Sequence, residues 1–254
     1  MMKKKIKVLQ VIPRLGYGGA ETGCYDLAHF LPENGCKSFI VTSGGELLKF
    51  INKKKVKVFR LPVQSKNPIL ILFNAIIISF IILVYNINIV HARSRAPAWS
   101  CFLATRFTFR KFVTTYHGTY NFNNKIKKFY NSIMVRSDLV IAGSNFIFSH
   151  INQNYGNFFL KKKRKLLVIF RGINTNYFNP QKILPIKLDK FSKQNNIDRN
   201  KFIILLPGRI TYWKGQKIFI EAIKLLYEKS DTPPLEAIIL GSDQGRNVYK
   251  KQLI

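Results

Sequence analysis

With 254 residues and a hydrophobic fraction of 47%, the chain has material for one large or two small folded domains, which excludes wholesale disorder. Its 42 basic and 12 acidic residues give a formal net charge of +30, which favours anionic partners: nucleic acid, acidic lipid headgroups or phosphorylated small molecules. A compositional bias towards Lys, Ile and Asn could supply much of that charge as well as a selected surface could. The three cysteines, Cys24, Cys36 and Cys101, form no CxxC pair and have no histidine at zinc-ligand spacing, so idle thiols in a reducing compartment are expected.

Met1–Lys5 is basic, but Pro13 and Arg14 break the apolar run that follows, so Ile6–Ile12 reads as a first strand and not as a signal peptide. Short Val- and Ile-rich runs recur at Ser38–Thr42, Val56–Leu61, Ile87–His91, Phe112–Tyr116, Leu139–Ala142 and Leu166–Phe170, as expected of strands buried on both faces. Helical periodicity predicts helices over Ala20–Leu31, Ala96–Phe107, Asn124–Arg136 and Asn145–Asn154. Pro68–Val90 holds no charged residue, and Ile69–Tyr85 is almost wholly apolar. That core is slightly short for a membrane span and is interrupted by Asn74 and Ser79, so it reads as a helix buried on one side or lying on a membrane surface. The alternation of strand and helix implies an α/β fold with a doubly wound parallel sheet, whose ligands bind at the carboxyl ends of the strands.

A polar stretch at Asn174–Pro185 reads as a linker, placing one domain at 1–180 and a second at 181–254. The alternation then restarts with helix Ile186–Asn195, strand Phe202–Leu206, helix Lys214–Lys229 and strand Leu235–Leu240, and the second domain is expected to be incomplete. The basic run Lys161–Lys165 reads as a solvated turn.

Three loops carry candidate chemistry. Gly16-Tyr17-Gly18-Gly19-Ala20-Glu21 follows the first strand and opens the first helix; glycines there let a ligand approach backbone N–H groups. A nicotinamide fingerprint would want glycine at Glu21 and an acid closing the second strand, which ends Thr42-Ser43-Gly44-Gly45 instead. His117, in Thr115-Tyr116-His117-Gly118, closes the fifth strand, where it is either a hydrogen-bonded strand-end histidine or an active-site group. His91 closes another strand and is followed by Arg93, Ser94 and Arg95, two guanidinium groups that either bind a phosphate or carboxylate or stand solvated. In Pro207-Gly208-Arg209-Ile210-Thr211-Tyr212-Trp213-Lys214-Gly215, Arg209 and Lys214 bracket one loop and can converge on an anionic group. Fixed cations there would stabilise the charge that develops on a departing diphosphate. The twelve acids include no Asp-x-Asp pair to hold a divalent ion beside a diphosphate.

Taken together, Gly18-Gly19-Ala20-Glu21, Tyr116-His117-Gly118, Phe170-Arg171-Gly172-Ile173-Asn174 with Tyr177-Phe178, and Gly208-Arg209 with Lys214-Gly215 resemble the motif series of family 4 glycosyltransferases. The resemblance implies a GT-B fold: a Rossmann-like N-terminal domain plus the start of a second Rossmann-like domain. It implies retaining, metal-independent transfer from a nucleotide-sugar, which serves as co-substrate with no cofactor. By that resemblance the first domain takes the acceptor, with Gly18, Gly19, Glu21 and Arg93 on that side. His117 is the candidate catalytic group beside the transferred sugar, and Gly208, Arg209 and Lys214 bind the donor diphosphate. Arg171 stands where the family often has Asn, and the family's later Glu-x7-Glu motif is not in the 254 residues. The expected role is synthesis of a surface glycan of the lipopolysaccharide type on a glycan or lipid-linked acceptor. The expected place is the cytoplasm, peripheral at the inner face of an anionic membrane. Two other readings are a non-catalytic remnant of such an enzyme and a basic nucleic-acid- or membrane-binding protein. No nucleic-acid partner is expected, because the bases are spread along the chain and not interleaved with aromatics on one face.

Overall fold

Seven short apolar runs pair into one all-parallel sheet. They are β1 (Lys7–Val11), β2 (Lys37–Thr42), β3 (Val56–Arg60), β4 (Ile89–Ala92), β5 (Lys111–Tyr116), β6 (Leu139–Ala142) and β7 (Lys165–Val168), in spatial order β3-β2-β1-β4-β5-β6-β7. The structure is a computed structural model and describes residues 5–120, 124–160, 164–229, 231–243, 245 and 247–253. Lys161–Lys163 of the basic run, and Met1–Lys4 of the basic start, lie outside the described residues. The chain divides into two compact units, Met1–Gly172 and Ile173–Ile254.

Side-chain alternation along the strands gives the first unit a core on each face of its sheet. Leu9, Val11, Phe39 and Val41 point into a large core with Ile78, Ile82, Cys101 and Ile133. Ile12 and Ile40 point the other way, into a smaller core with Cys24, Ala28 and Leu47. That second core is closed by α1 (Gly19–Glu33). The order of strands reverses between β1 and β4, so the loops after these two strands flank the crevice where doubly wound sheets take ligands.

The uncharged segment forms α2 (Pro68–Tyr85), started by Pro68 and by Asn67 Oδ1 accepting from Ile69 N–H at 2.9 Å, and ended by Asn86 at φ 50°. One face of it is buried through Asn74, Ala75, Ile78, Ile81 and Ile82, and Asn74 Nδ2 donates to the Pro62 carbonyl. The opposite face leaves Leu72, Ile76, Phe80 and Leu83 exposed. By length and composition α2 is also long enough to cross a membrane. It is followed by α3 (Arg95–Thr108), α4 (Lys125–Asn131) and α5 (Asn145–Leu160). The helix expected over Asn124–Arg136 is broken: α4 ends at Asn131, and Ser132–Val135 is a buried 3-10 turn.

The second unit contains α6 (Pro185–Gln194), β8 (Phe202–Pro207), α7 (Gln216–Tyr227), β9 (Leu235–Leu240) and α8 (Asn247–Lys251), with β8 and β9 paired in parallel. α7 starts later than the sequence pattern suggested. Tyr212–Lys214 form a 3-10 turn, and Gly215, at φ 75°, adopts the left-handed conformation that separates the turn from the helix.

Candidate functional site

In the first unit the carboxyl ends of β1, β4, β5 and β7 gather four cationic or titratable groups. Gln10, fully buried in β1, faces the α1 side and ties α1 to the segment after β4. Its Nε2 donates to the Cys24 carbonyl at 3.0 Å, and its Oε1 accepts from Arg93 Nε at 2.9 Å. Arg93 is therefore drawn in from the end of β4 to 8% exposure, so the solvated-loop reading does not hold for it. Arg95 is not solvated either: its Nη1 donates to Asn131 Oδ1 at 2.8 Å and its guanidinium lies over the Tyr120 ring. Arg95 turns towards Tyr116 and Tyr120 at the end of β5, whereas Arg93 turns towards Gln10.

Arg171, after β7, reaches the same place from the other side. A Cβ built on Gly23 would lie 2.9 Å from Arg171 Nη2 and 3.6 Å from Arg93 Nη1, and one on Gly19 would collide with Arg171 Nη1. Gly19 and Gly23 thus leave room over the first turns of α1 for both guanidinium groups. Burial lowers the Arg93 pKa below its ordinary value and Arg171 adds to this, while Cys24 and Asp26 oppose it. Burial pushes the neighbouring Cys24 thiol up to about 11.

His91 and His117 complete the group. His91 Nε2 is 2.7 Å from Thr115 Oγ1, and burial, then Arg93 and His117, hold its pKa well below the usual value. Burial first, then the fields of Arg93 and Arg171, lowers His117 to about 4, so its imidazole is neutral at pH 7. Its Nε2 is buried and has no hydrogen-bond partner among the described residues. Gly18 precedes α1 with no side-chain cap, and Glu21 folds back beside Gly18.

In the second unit the loop after β8 is held in shape from three sides. Gly208 N–H donates to the Leu240 carbonyl at 2.8 Å and Ile210 N–H to the Ser242 carbonyl at 3.0 Å. Gln216, fully buried at the start of α7, donates from Nε2 to the Arg209 carbonyl at 2.8 Å. A Cβ on Gly241 would collide with the Gly208 carbonyl, so only glycine admits this approach. The Lys214 stem passes over Gly208, with Cδ 3.8 Å from where its Cβ would be. Arg209 and Lys214 are both exposed on this one loop.

Gln10 and Gln216 are the residues the sequence reading passed over. The available signal was a polar amide inside the apolar run of β1, and another at the first position of a helix. Among the described residues no three His, Cys, Asp or Glu side chains stand together as a metal site. A cavity of about 240 Å³, lined by Arg106, Arg110, Lys111, Arg136 and Asp138 among others, opens at the amino end of β5, away from the strand ends that carry His117 and Arg93.

The model of Glycosyltransferase Family 4 matches residues 17–177, and that of Glycosyl transferases group 1 matches residues 188–254. A solved glycosyltransferase from Rickettsia africae ESF-5 is 40% identical, with a TM-score of 0.81, over 98% of this chain and 64% of that one. Anabaena HepE in complex with UDP-glucose is 20% identical, with a TM-score of 0.75 over the same shares. Sucrose-phosphate synthase from Thermosynechococcus elongatus is 14% identical, with a TM-score of 0.69, over 98% of this chain and 66% of that one. The latter two share the fold. The chain spans 64% of the length of the Rickettsia africae and Anabaena structures. No curated protein sequence matches it.

Proposed function

Since the chain belongs to the family 4 glycosyltransferases, with a GT-B-type fold, we propose that it takes part in moving a sugar from a nucleotide-sugar donor to a glycan or lipid-linked acceptor, with retention and without a metal ion. The observation that carries this reading is the loop after β8. Its backbone is pinned by Gln216, Leu240 and Ser242, and it presents Arg209 and Lys214 together at the carboxyl end of a parallel strand. Two fixed cations there do for a departing diphosphate what a divalent ion does elsewhere: they neutralise charge as the glycosidic bond breaks. A nucleotide-sugar suits the fold, since Anabaena HepE was solved with UDP-glucose. The first unit serves the acceptor and the transferred sugar through Gly18, Gly19, Glu21, Arg93 and His117. A neutral His117 with a free Nε2 suits a hydrogen bond to a sugar hydroxyl.

Lys214→Ala tests the donor assignment. It should cost about 2–4 kcal/mol of transition-state stabilisation, read as nucleoside-diphosphate release from a panel of nucleotide-sugars. Wild-type turnover in that variant would sink it.

The protein works at the inner face of an anionic membrane, in synthesis of a lipopolysaccharide-type glycan. Support comes from the exposed Leu72, Ile76, Phe80 and Leu83 of α2 in a chain of net charge +30. The basic cavity adjoins the carboxyl end of α2, where Arg110 Nη2 donates to Asn86 Oδ1. Apolar surface beside cations suits an interfacial helix over anionic headgroups. Co-sedimentation with phosphatidylglycerol vesicles should therefore weaken as salt rises. Equal sedimentation with neutral and anionic vesicles counts against the placement.

A further inference from the structure

We infer that Arg93 and Arg171 form an acceptor-side site for a phosphate-like oxyanion, so that the acceptor is an anionic one. The inference rests on the proposed function, which gives the first unit to the acceptor, and it names the chemistry the acceptor carries there.

The case begins with charge that no ion pair among the described residues neutralises. Arg93 is 8% exposed, and its only side-chain hydrogen bond among the described residues runs from Nε to Gln10. Its two terminal nitrogens are left for something else. Arg171 makes no side-chain hydrogen bond or ion pair among the described residues, and no carboxylate pairs with either guanidinium. Two acids stand on the same helix. Glu21 turns back onto Gly18, and Asp26, whose field reaches Arg93, is exposed and forms no ion pair among the described residues. A buried guanidinium with a second cation beside it is costly unless an anion joins them.

Geometry supplies the rest. Both guanidinium groups border one point, the open side of Gly23, and Gly19 clears the approach of Arg171. A side chain at either glycine would fill the space. Two planar forks around one opening match an oxyanion with several acceptor oxygens. The opening lies at the strand-order reversal, beside the loops after β1 and β4. Gln10 sets the Arg93 fork by holding Nε, which fixes the plane of the guanidinium. His117 feels both arginines, so it reports on whatever neutralises them.

One chemistry could come from two sources, the acceptor's phosphate or the donor's diphosphate, and the test separates them. The full chain is titrated with inorganic phosphate and, separately, with UDP. Thermal unfolding and the His117 imidazole resonance by NMR are followed. In the wild type, phosphate should raise the melting temperature and raise the His117 pKa, because an anion favours the imidazolium. Arg171→Asn, at an exposed position, should weaken phosphate binding by roughly ten- to a hundredfold, the loss of one charge-assisted contact. UDP binding should be unchanged in Arg171→Asn, and phosphate binding unchanged in Lys214→Ala. Circular dichroism checks that both variants fold. Equal phosphate response in the wild type and Arg171→Asn, or none in either, overturns the site. If Arg171→Asn loses UDP as well as phosphate, the arginines serve the donor and the acceptor assignment is wrong. Full turnover in Lys214→Ala would remove the donor-loop reading while leaving the phosphate result intact.

Discussion

The two units are written in the same vocabulary of Val-, Ile- and Leu-rich runs, yet they bury it very differently. In the first unit β1 and β2 are almost wholly buried, because α1 covers one face of the sheet and α2 and α3 the other. In the second unit Phe202, Ile203 and Leu205 of β8 are exposed, as are Ile218 and Leu225 of α7. Among the described residues of that unit only Leu235 is a buried apolar side chain. An apolar run therefore tells which residues want a covering layer, and the number of layers around it decides whether they get one. The candidate site residues follow the same division. The first unit draws Arg93 and His91 into its interior, whereas the second presents Arg209 and Lys214 on an exposed loop.

The largest effect that could break this comparison is in the cores. Leu9 is fully buried in β1, so Leu9→Ala removes buried methyl groups and leaves a cavity, costing about 3–5 kcal/mol. Leu205 in β8 is 48% exposed, so Leu205→Ala should cost less than about 1 kcal/mol. The two tryptophans allow a clean readout, since Trp99 belongs to the first unit and Trp213 to the second. Urea unfolding followed by Trp99 fluorescence in a Trp213→Phe background should show the Leu9→Ala loss. Equal losses for the two leucine variants, each read in its own unit, would mean that the second unit has a core of the same quality.

The next effect is the pH dependence that burial imposes on the first unit. The His117 pKa is depressed in the folded state to about 4, from an ordinary 6.5. Folding then disfavours the proton. The stability this histidine allows is fully present above about pH 6.5 and is lost as pH falls towards 4, by up to about 3 kcal/mol. His91 is shifted in the same direction and adds to the loss. His117→Asn should flatten that acid limb in the first unit and leave the unfolding of the second unit untouched. An acid limb in His117→Asn that overlays the wild type would show that His117 titrates normally.

Much of this division was legible in the sequence, and the reasons differ by element. The inner strands of the first unit were plain because β1, β2 and β4 are buried on both faces, so Val and Ile dominate without a competing polar pattern. α2 was plain because Pro68–Tyr85 is an uncharged, almost wholly apolar run, and Asn67 and Asn86 flank it as caps. The break after Asn131 was hidden, since Ser132–Val135 is apolar enough to continue a helix and only its packing turns it into a 3-10 turn. Of the site, His117 and the loop from Gly208 to Lys214 stood out by strand-end position. The meeting of Arg171 with Arg93 could not be read, because it joins the ends of β4 and β7, which lie far apart in sequence. Gln10 and Gln216 showed only as polar amides in apolar or helix-start positions: an amide matters here through which carbonyl it faces, and spacing does not reveal that.

Those two glutamines give the smallest and sharpest test. Both are fully buried and each donates from Nε2 to a backbone carbonyl, of Cys24 in one unit and of Arg209 in the other. They differ at the other end. Gln10 Oε1 accepts from Arg93, whereas Gln216 Oε1 has no hydrogen-bond partner among the described residues. Gln10→Leu therefore strands a buried guanidinium N–H, while Gln216→Leu removes one of two side-chain donors to the Arg209 carbonyl and leaves Thr211 Oγ1 on it at 3.4 Å. The first should cost about 2–3 kcal/mol, because an unmade hydrogen bond to a buried charge carries its full desolvation penalty. The second should cost about 1 kcal/mol or less, and it loosens one of the three ties on the loop after β8. Their functional signatures should also part. Gln10→Leu frees the plane of the Arg93 guanidinium and should weaken phosphate binding without altering UDP binding. Gln216→Leu should weaken UDP binding by less than Lys214→Ala does and leave phosphate binding alone, since it removes no cation and shifts only the carbonyl of Arg209. Equal stability losses in the two variants, or a loss of phosphate binding in Gln216→Leu, would show that the buried amides do not divide their work between the units in this way.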